Sequence, residues 1–325
     1  IRIYNMFKKT LIAAAVATLA SSVAMADVSV SGQVKTYFVT TDATSAGGDG
    51  KDWAPVTDTA IDFKASEDLG NGLTAFAQIT IDTDVDTDTT ATADTAVAST
   101  GTIEKDSKLG LKGGFGTLVM GRMETLSEGA VSSMMDDGGA LESPLITGFD
   151  RYDAIAYVSP TVNGLHAAIA GTTNGDAITT TDKDGDGMFQ HIDFVVAYDN
   201  GPLSVKVARA DIDAAANSTA NYDVTTIAAS YKIGALKVSA MNVEKDFDDT
   251  TADLGDDIYR LDYTIGNNSI LLGHRSNDAG TGGTNNDLTS LKLTHKLSAR
   301  TAAWVGVRDV ESGADQTHFG MIHKF

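Results

Sequence analysis

From residue 27 onward, hydrophobic and polar positions alternate with a period of two. In VSVSGQVKTYF, Val28, Val30, Val34 and Phe38 share one parity, and Ser29, Ser31, Gln33 and Lys35 share the other. In AIDFKAS, Ile61, Phe63 and Ala65 oppose Asp62, Lys64 and Ser66; in LTSLKLTHKL, Leu291, Leu293 and Leu297 oppose Ser290, Lys292, Thr294 and Lys296. This period belongs to strands with one apolar and one polar face. It predicts sixteen strands, near 28–40, 57–68, 73–83, 104–112, 115–122, 152–159, 164–173, 190–199, 203–212, 222–232, 235–244, 257–265, 269–276, 287–297, 300–310 and 315–325. The connections alternate too. One set is tight (LGNG, KGGFG, SPTVNG, DNGP, KIGA, IGNN, LSA), and the other is longer and rich in Asp, Gly, Thr and Asn. Pro160 and Pro202 fall at tight turns, where no ladder N–H is needed.

An even number of antiparallel strands, with short turns at one end and long loops at the other, predicts an all-β fold: a transmembrane antiparallel barrel of 16 strands in an outer membrane. Lipid accepts strands only when every backbone group is paired, and closure of the sheet achieves that. The apolar parity then faces lipid and the polar parity the lumen, which accounts for a mean hydropathy of −0.07 in a membrane protein. The competing architecture, a secreted β-sandwich or repeat adhesin, has no need of apolar residues on the outer face of every strand.

Composition narrows this further. There is no cysteine, so neither disulfides nor thiolate metal sites are available. No later stretch holds 18 consecutive apolar residues, so helical spans are not expected. At the front, MFKKTLIAAAVATLASSVAMA has the basic, apolar and small-x-small regions of a secretory signal, ending at Ala24-Met25-Ala26. Residues 1–26 are therefore read as upstream residues and a cleaved signal peptide, and 27–325 as the barrel. The formal charge is −20, and loss of Arg2, Lys8 and Lys9 with the signal takes it to −23. Such a charge argues against nucleic acid as a partner and favours cations.

Six segments in order resemble a known family. KASEDLGNGLTAFAQ, SKLGLKGGFGTLVMGR, AIAYVSPTVNGL, VVAYDNGPLSVKVA, LSARTAAWVGV and the terminal FGMIHKF are similar to successive strands and turns of the trimeric general porins of Gram-negative outer membranes. The resemblance implies a homotrimer in contact with outer-membrane lipid and lipopolysaccharide, passing small hydrophilic solutes and ions by diffusion. It also implies that Phe325 ends the signal read by the outer-membrane insertion machinery. A substrate-selective channel of the same fold, or a barrel serving mainly as a calcium-binding surface protein or adhesin, is the alternative. No Ser/His/Asp arrangement suggests an enzyme.

In that family the third extracellular loop folds into the barrel and forms a constriction. The corresponding segment here, 123–150, carries Glu124, Glu128, Asp136, Asp137, Glu142 and Asp150 and no Lys or Arg. Asp136, Asp137 and Glu142 are the expected acidic side of the eyelet. Arg122 is expected opposite them, with Lys35, Lys64 and Asp62 on the wall. Arg260, which alternates with Asp262 opposite Tyr259, Leu261 and Tyr263, and Arg275 and Lys292 are further lumen candidates, but the basic positions usual in the first strands are Gln33 and Ala60 here, so the eyelet is expected to be base-poor compared with the family and to prefer cations.

DKDGDGMFQHID, 182–193, matches a calcium loop by position. Asp182, Asp184 and Asp186 stand at positions 1, 3 and 5, Gly187 at the sharp turn, and the Met188 carbonyl at 7. Gln190 follows at 9 and Asp193 at 12. A structural Ca²⁺ in the fourth extracellular loop is expected from this spacing, although Asp replaces the usual closing Glu.

Overall fold

The computed structural model describes residues 27–42, 51–85, 104–135, 151–172, 189, 191–212, 221–248, 252–280, 283, 285–312 and 315–325. Along the chain these form β1 (Asp27–Asp42), β2 (Lys51–Gly70), β3 (Leu73–Val85), β4 (Glu104–Gly113), β5 (Gly116–Glu124), α1 (Leu126–Met135), β6 (Arg151–Val158), β7 (Leu165–Thr172), β8 (His191–Asn200), β9 (Leu203–Ile212), β10 (Tyr222–Ile233), β11 (Leu236–Phe247), β12 (Leu254–Ile265), β13 (Asn268–Asp278), β14 (Leu288–Lys296), β15 (Thr301–Val310) and β16 (Gln316–Lys324). Each strand pairs antiparallel with its sequence neighbours, and β1 closes the barrel on β16. Residues 1–26, read from the sequence as upstream residues and a signal peptide, lie outside the described residues.

All sixteen expected strands are present. Apart from the start of β2, their ends fall within three residues of expectation. β2 begins at Lys51 rather than near 57. Its first residues pair with β1 alone, since pairing to β3 starts at Thr57 opposite Val85. A one-sided ladder accommodates Pro55, which has no N–H to give.

The tight turns occupy the end of the barrel where β1 starts at Asp27 and where Phe325 lies. Asn71 and Gly72 both have positive φ, 55° and 74°, between the paired Gly70 and Leu73. That is the two-residue hairpin whose twist suits the flanking strands. Gly201, Gly234 and Gly266 stand first in their two-residue turns, at φ 57–59°, where a side chain would be strained.

The alternation maps onto the two faces as expected. In β8, Ile192, Phe194 and Val196 are exposed on the outside, while Asp193, Val195 and Ala197 are buried inside. In β12, Tyr259, Leu261 and Tyr263 face out, and Ile258, Arg260 and Asp262 face in. Hydrophobic side chains on the outside of a closed sheet make a surface for lipid, not a defect of packing.

Candidate functional site

The inner wall mixes apolar and basic side chains. On β9 to β12, Ala210, Ile212, Val224, Ala228, Met241, Val243 and Ile258 form one buried cluster, with Lys206 and Lys237 on the same face. On β12 to β16 basic residues stand among buried Leu271, Leu288, Trp304 and Val310. Arg260, Arg275, Lys292, Arg308 and His318 all hold inward parity, and Arg275, Lys292 and His318 are buried at 1%, 7% and 3% exposure. Glycines make room for these long side chains. Gly273 lies opposite Arg260, and Gly306 lies opposite both Lys292 and His318. A β-carbon at Gly306 would meet the His318 ring. Acceptors lie close by: Arg260 donates to both Asp262 oxygens, at 2.9 and 2.8 Å, and Arg275 donates to the Asn286 carbonyl at 3.2 Å.

The helix α1 opens the segment after β5. Thr125 caps it, accepting the Glu128 N–H on its Oγ1 at 3.1 Å and the Gly129 N–H on its carbonyl at 2.9 Å. Thr125-Leu126-Ser127-Glu128 thus has the spacing of a capping box, a signal available in the sequence but missed by a strand-and-loop reading. α1 packs on β8, β9 and β10. Ala130, with Leu126 beside it, sits on Val195, Ala197 and Ala208, all inward residues. Asp193 in β8 meets the start of the helix. Its Oδ2 accepts the Ser127 N–H at 3.0 Å and the Tyr152 hydroxyl at 2.9 Å. Neither α1 nor this role of Asp193 and Tyr152 was foreseen.

The comparisons with known proteins decide the family. The Gram-negative porin family model matches residues 13–315. The chain belongs to the Gram-negative porin family. It is an outer-membrane porin. It is 28% identical to "Outer membrane porin protein 32" of Delftia acidovorans over 97% of this chain and 85% of that one. It is 31% identical to "Major outer membrane protein P.IB" of Neisseria lactamica over 50% of this chain and 49% of the relative. Among solved structures, the fold matches an anion-selective porin from Comamonas acidovorans with a TM-score of 0.74 at 22% identity, covering 92% of this chain and all of the other. It also matches OmpT of Vibrio cholerae, described as a trimer form, with a TM-score of 0.65 at 13% identity over 92% and 99% of the two chains.

Of the expected eyelet residues in this porin, Lys35 lies on the inner wall and pairs with Asp58 at 2.5 Å. Asp62 also faces inward, accepting from the Thr80 hydroxyl at 2.7 Å and from the Gln78 amide at 3.4 Å. Lys64 is exposed, opposite Ser29 and Gln78. Arg122 does not join them. It stands opposite Ser107 and Asp153 and shares the outward parity of Met120, while Met123 takes the inward position beside Tyr152. The expectation of a base-poor wall is also corrected. Arg260, Arg275 and Lys292 do hold the lumen parity expected of them, and Arg308 and His318 join them on β15 and β16. Asp136, Asp137 and Glu142 lie outside the described residues.

Asp182, Asp184, Asp186, Met188 and Gln190 are likewise outside the described residues. The described end of that stretch belongs to the wall. The Phe189 ring covers Gly171 of β7, and Asp193 faces the lumen with Oδ2 engaged by α1 and Oδ1 buried without a hydrogen bond. Phe325 follows β16 with its ring half exposed.

Proposed function

We propose that this porin is a water-filled channel for passive diffusion of small hydrophilic solutes and ions, narrowed by its third loop. The observation that carries this is burial on the wrong side of an open barrel. Sixteen strands enclose an aqueous channel, so inward side chains should meet water. Yet Ile258, Val243 and Arg275 are 0–1% exposed. A third loop that runs inward from α1, which rests on β8 to β10, would supply the cover. Its acids would face the basic strip of β12 to β16.

Loop and wall of opposite charge across one aperture admit both kinds of ion. The acidic loop and the net negative chain tip the balance towards cations, weakly, because the basic wall opposes them. The porin of similar fold from Comamonas acidovorans, described as anion-selective, is the contrary case. Reversal potentials across a KCl gradient test this. A modest preference for K⁺ is expected, and a preference for Cl⁻ overturns it. Saturable flux for one solute would favour the substrate-selective alternative.

A homotrimer fits the trimeric relative and an outward aromatic group on β16, β1 and β2. There Phe38 stacks on Phe319 at 5.4 Å, and Trp53 meets Phe319 edge-on at 5.2 Å. Contact with lipid and lipopolysaccharide, and recognition of Phe325 by the insertion machinery, belong to the same reading. A structural Ca²⁺ within 182–193 remains part of the proposal, on the strength of its ligand spacing.

A further inference from the structure

We propose that Asp193 is the positioning residue of the third loop: it pins α1 to the inner wall and so keeps the helix off the channel axis. The inference rests on the porin reading and adds to it the residue that holds the aperture.

β5 delivers the chain to Thr125 but does not set the direction in which it leaves the wall. Three contacts do. The Ser127 N–H donates to Asp193 Oδ2 at 3.0 Å, the Ser127 hydroxyl approaches the same oxygen at 3.4 Å, and the Tyr152 hydroxyl donates to it at 2.9 Å from β6. The first N–H groups of a helix lack partners within it, and its N-terminus favours negative charge. A carboxylate answers both needs. Ala170 and Ala210 flank Asp193 on the neighbouring strands, leaving the carboxylate clear on the inward face.

The apolar contacts of α1 are less directional. Leu126 and Ala130 lie on Val195, Ala197 and Ala208, an apolar surface on which a helix can slide or turn. Beside the helix lies an open cavity of about 440 Å³, lined by Phe76, Asp106, Lys108, Met123 and Lys206 together with α1 itself. The bonds to Asp193 give the first turn of the helix a fixed geometry on the wall.

The test compares wild type with Asp193→Ala, Asp193→Asn and Tyr152→Phe, each purified as folded barrel by its heat-modifiable electrophoretic mobility. Single-channel recording in planar bilayers and amide exchange over 126–135 are the readouts. Asp193→Ala should raise exchange at the first turn of α1 about tenfold. It should also lower the mean conductance and multiply brief closures, as the helix leaves the wall for the lumen. Asp193→Asn keeps an acceptor and should show a smaller change in the same direction, as should Tyr152→Phe. A purely structural role would reduce the yield of folded barrel while leaving conductance and exchange at wild-type values. That result overturns the proposal. If Asp193→Ala does not fold, Tyr152→Phe decides: wild-type exchange and closure frequency in that variant overturn it. A wild type that does not conduct overturns the porin reading and this inference together. A conducting wild type matched by the variants overturns the assignment to Asp193 alone.

Discussion

Gly32 of β1 and the terminal Phe325 exchange both main-chain hydrogen bonds, at 3.0 and 2.9 Å, and the Phe325 ring occupies the space where a residue-32 side chain would stand. The last residue of the chain is therefore part of the seam that closes the barrel. Each bond contributes on the order of 1 kcal/mol in ordinary surroundings and costs more to lose where water cannot replace it.

Removal of Phe325 should reduce the yield of folded barrel more than Phe194→Ala, which trims an outward ring away from the seam. Gly32→Leu should act in the same direction, because its side chain competes with the Phe325 ring. Electrophoretic mobility with and without heating measures the folded fraction. Equal yields from all three variants would show that the seam does not limit assembly.

The basic strip makes a second prediction. Lys292→Gln with Arg308→Gln should raise the K⁺/Cl⁻ permeability ratio by a factor of about two, the scale of a screened interaction of ~0.4 kcal/mol. Asp136→Asn with Asp137→Asn should move the ratio the other way. Reversal potentials across a salt gradient give both signs. Shifts of the same sign from both pairs would mean that wall and loop do not face one aperture.

The strands were legible because period two is a direct imprint of lipid on one side and the lumen on the other. Glycines and prolines at the tight turns fixed where each strand stopped. What the alternation could not convey is which inward residues meet each other. Arg122 follows a glycine in the expected pattern, but its register beside Ser107 and Asp153 turns it outward. Parity alone marks Arg260, Arg275 and Lys292 as lumen residues, but their gathering with Arg308 and His318 is not legible, because these residues lie one per strand, far apart in sequence, and only the pairing of β12 to β16 brings them side by side. That Asp193 also meets α1 is not legible in the calcium spacing, which takes no account of a helix some sixty residues earlier in the chain. The Ser127–Asp193 bond spans 66 residues. Thr125-x-x-Glu128 did announce the helix, since its mechanism is local.

That local signal is itself testable. Thr125→Ala removes the cap and should cost α1 about 1 kcal/mol. Amide exchange over 126–130 should rise roughly fivefold, the equivalent of that energy, while strand exchange stays unchanged. Exchange at the wild-type rate would show that the seat on β8 to β10 fixes the first turn without its cap.

The calcium expectation for 182–193 now meets a specific constraint. Asp193, its twelfth residue, has Oδ2 committed to Ser127 and Tyr152, and Phe189 is laid over Gly171 on the outside of the wall. A Ca²⁺ ion here would draw on Asp182, Asp184, Asp186, the Met188 carbonyl and Gln190, with Asp193 able to join only through Oδ1. Fewer carboxylates lower affinity, so the site should be of the weak extracellular kind, saturating at roughly 10⁻⁴–10⁻³ M. Calcium should protect the fourth loop from proteolysis and leave strand content unchanged, because barrel closure does not depend on the ion. Mg²⁺ should substitute poorly, since it demands near-octahedral geometry and sheds water reluctantly. Asp184→Ala should abolish protection, whereas Asp193→Asn should preserve most of it. Calorimetry on the wild type provides the direct check. If no saturable heat appears at millimolar Ca²⁺, the run is an acidic loop leading into β8, and its last carboxylate serves the third loop alone.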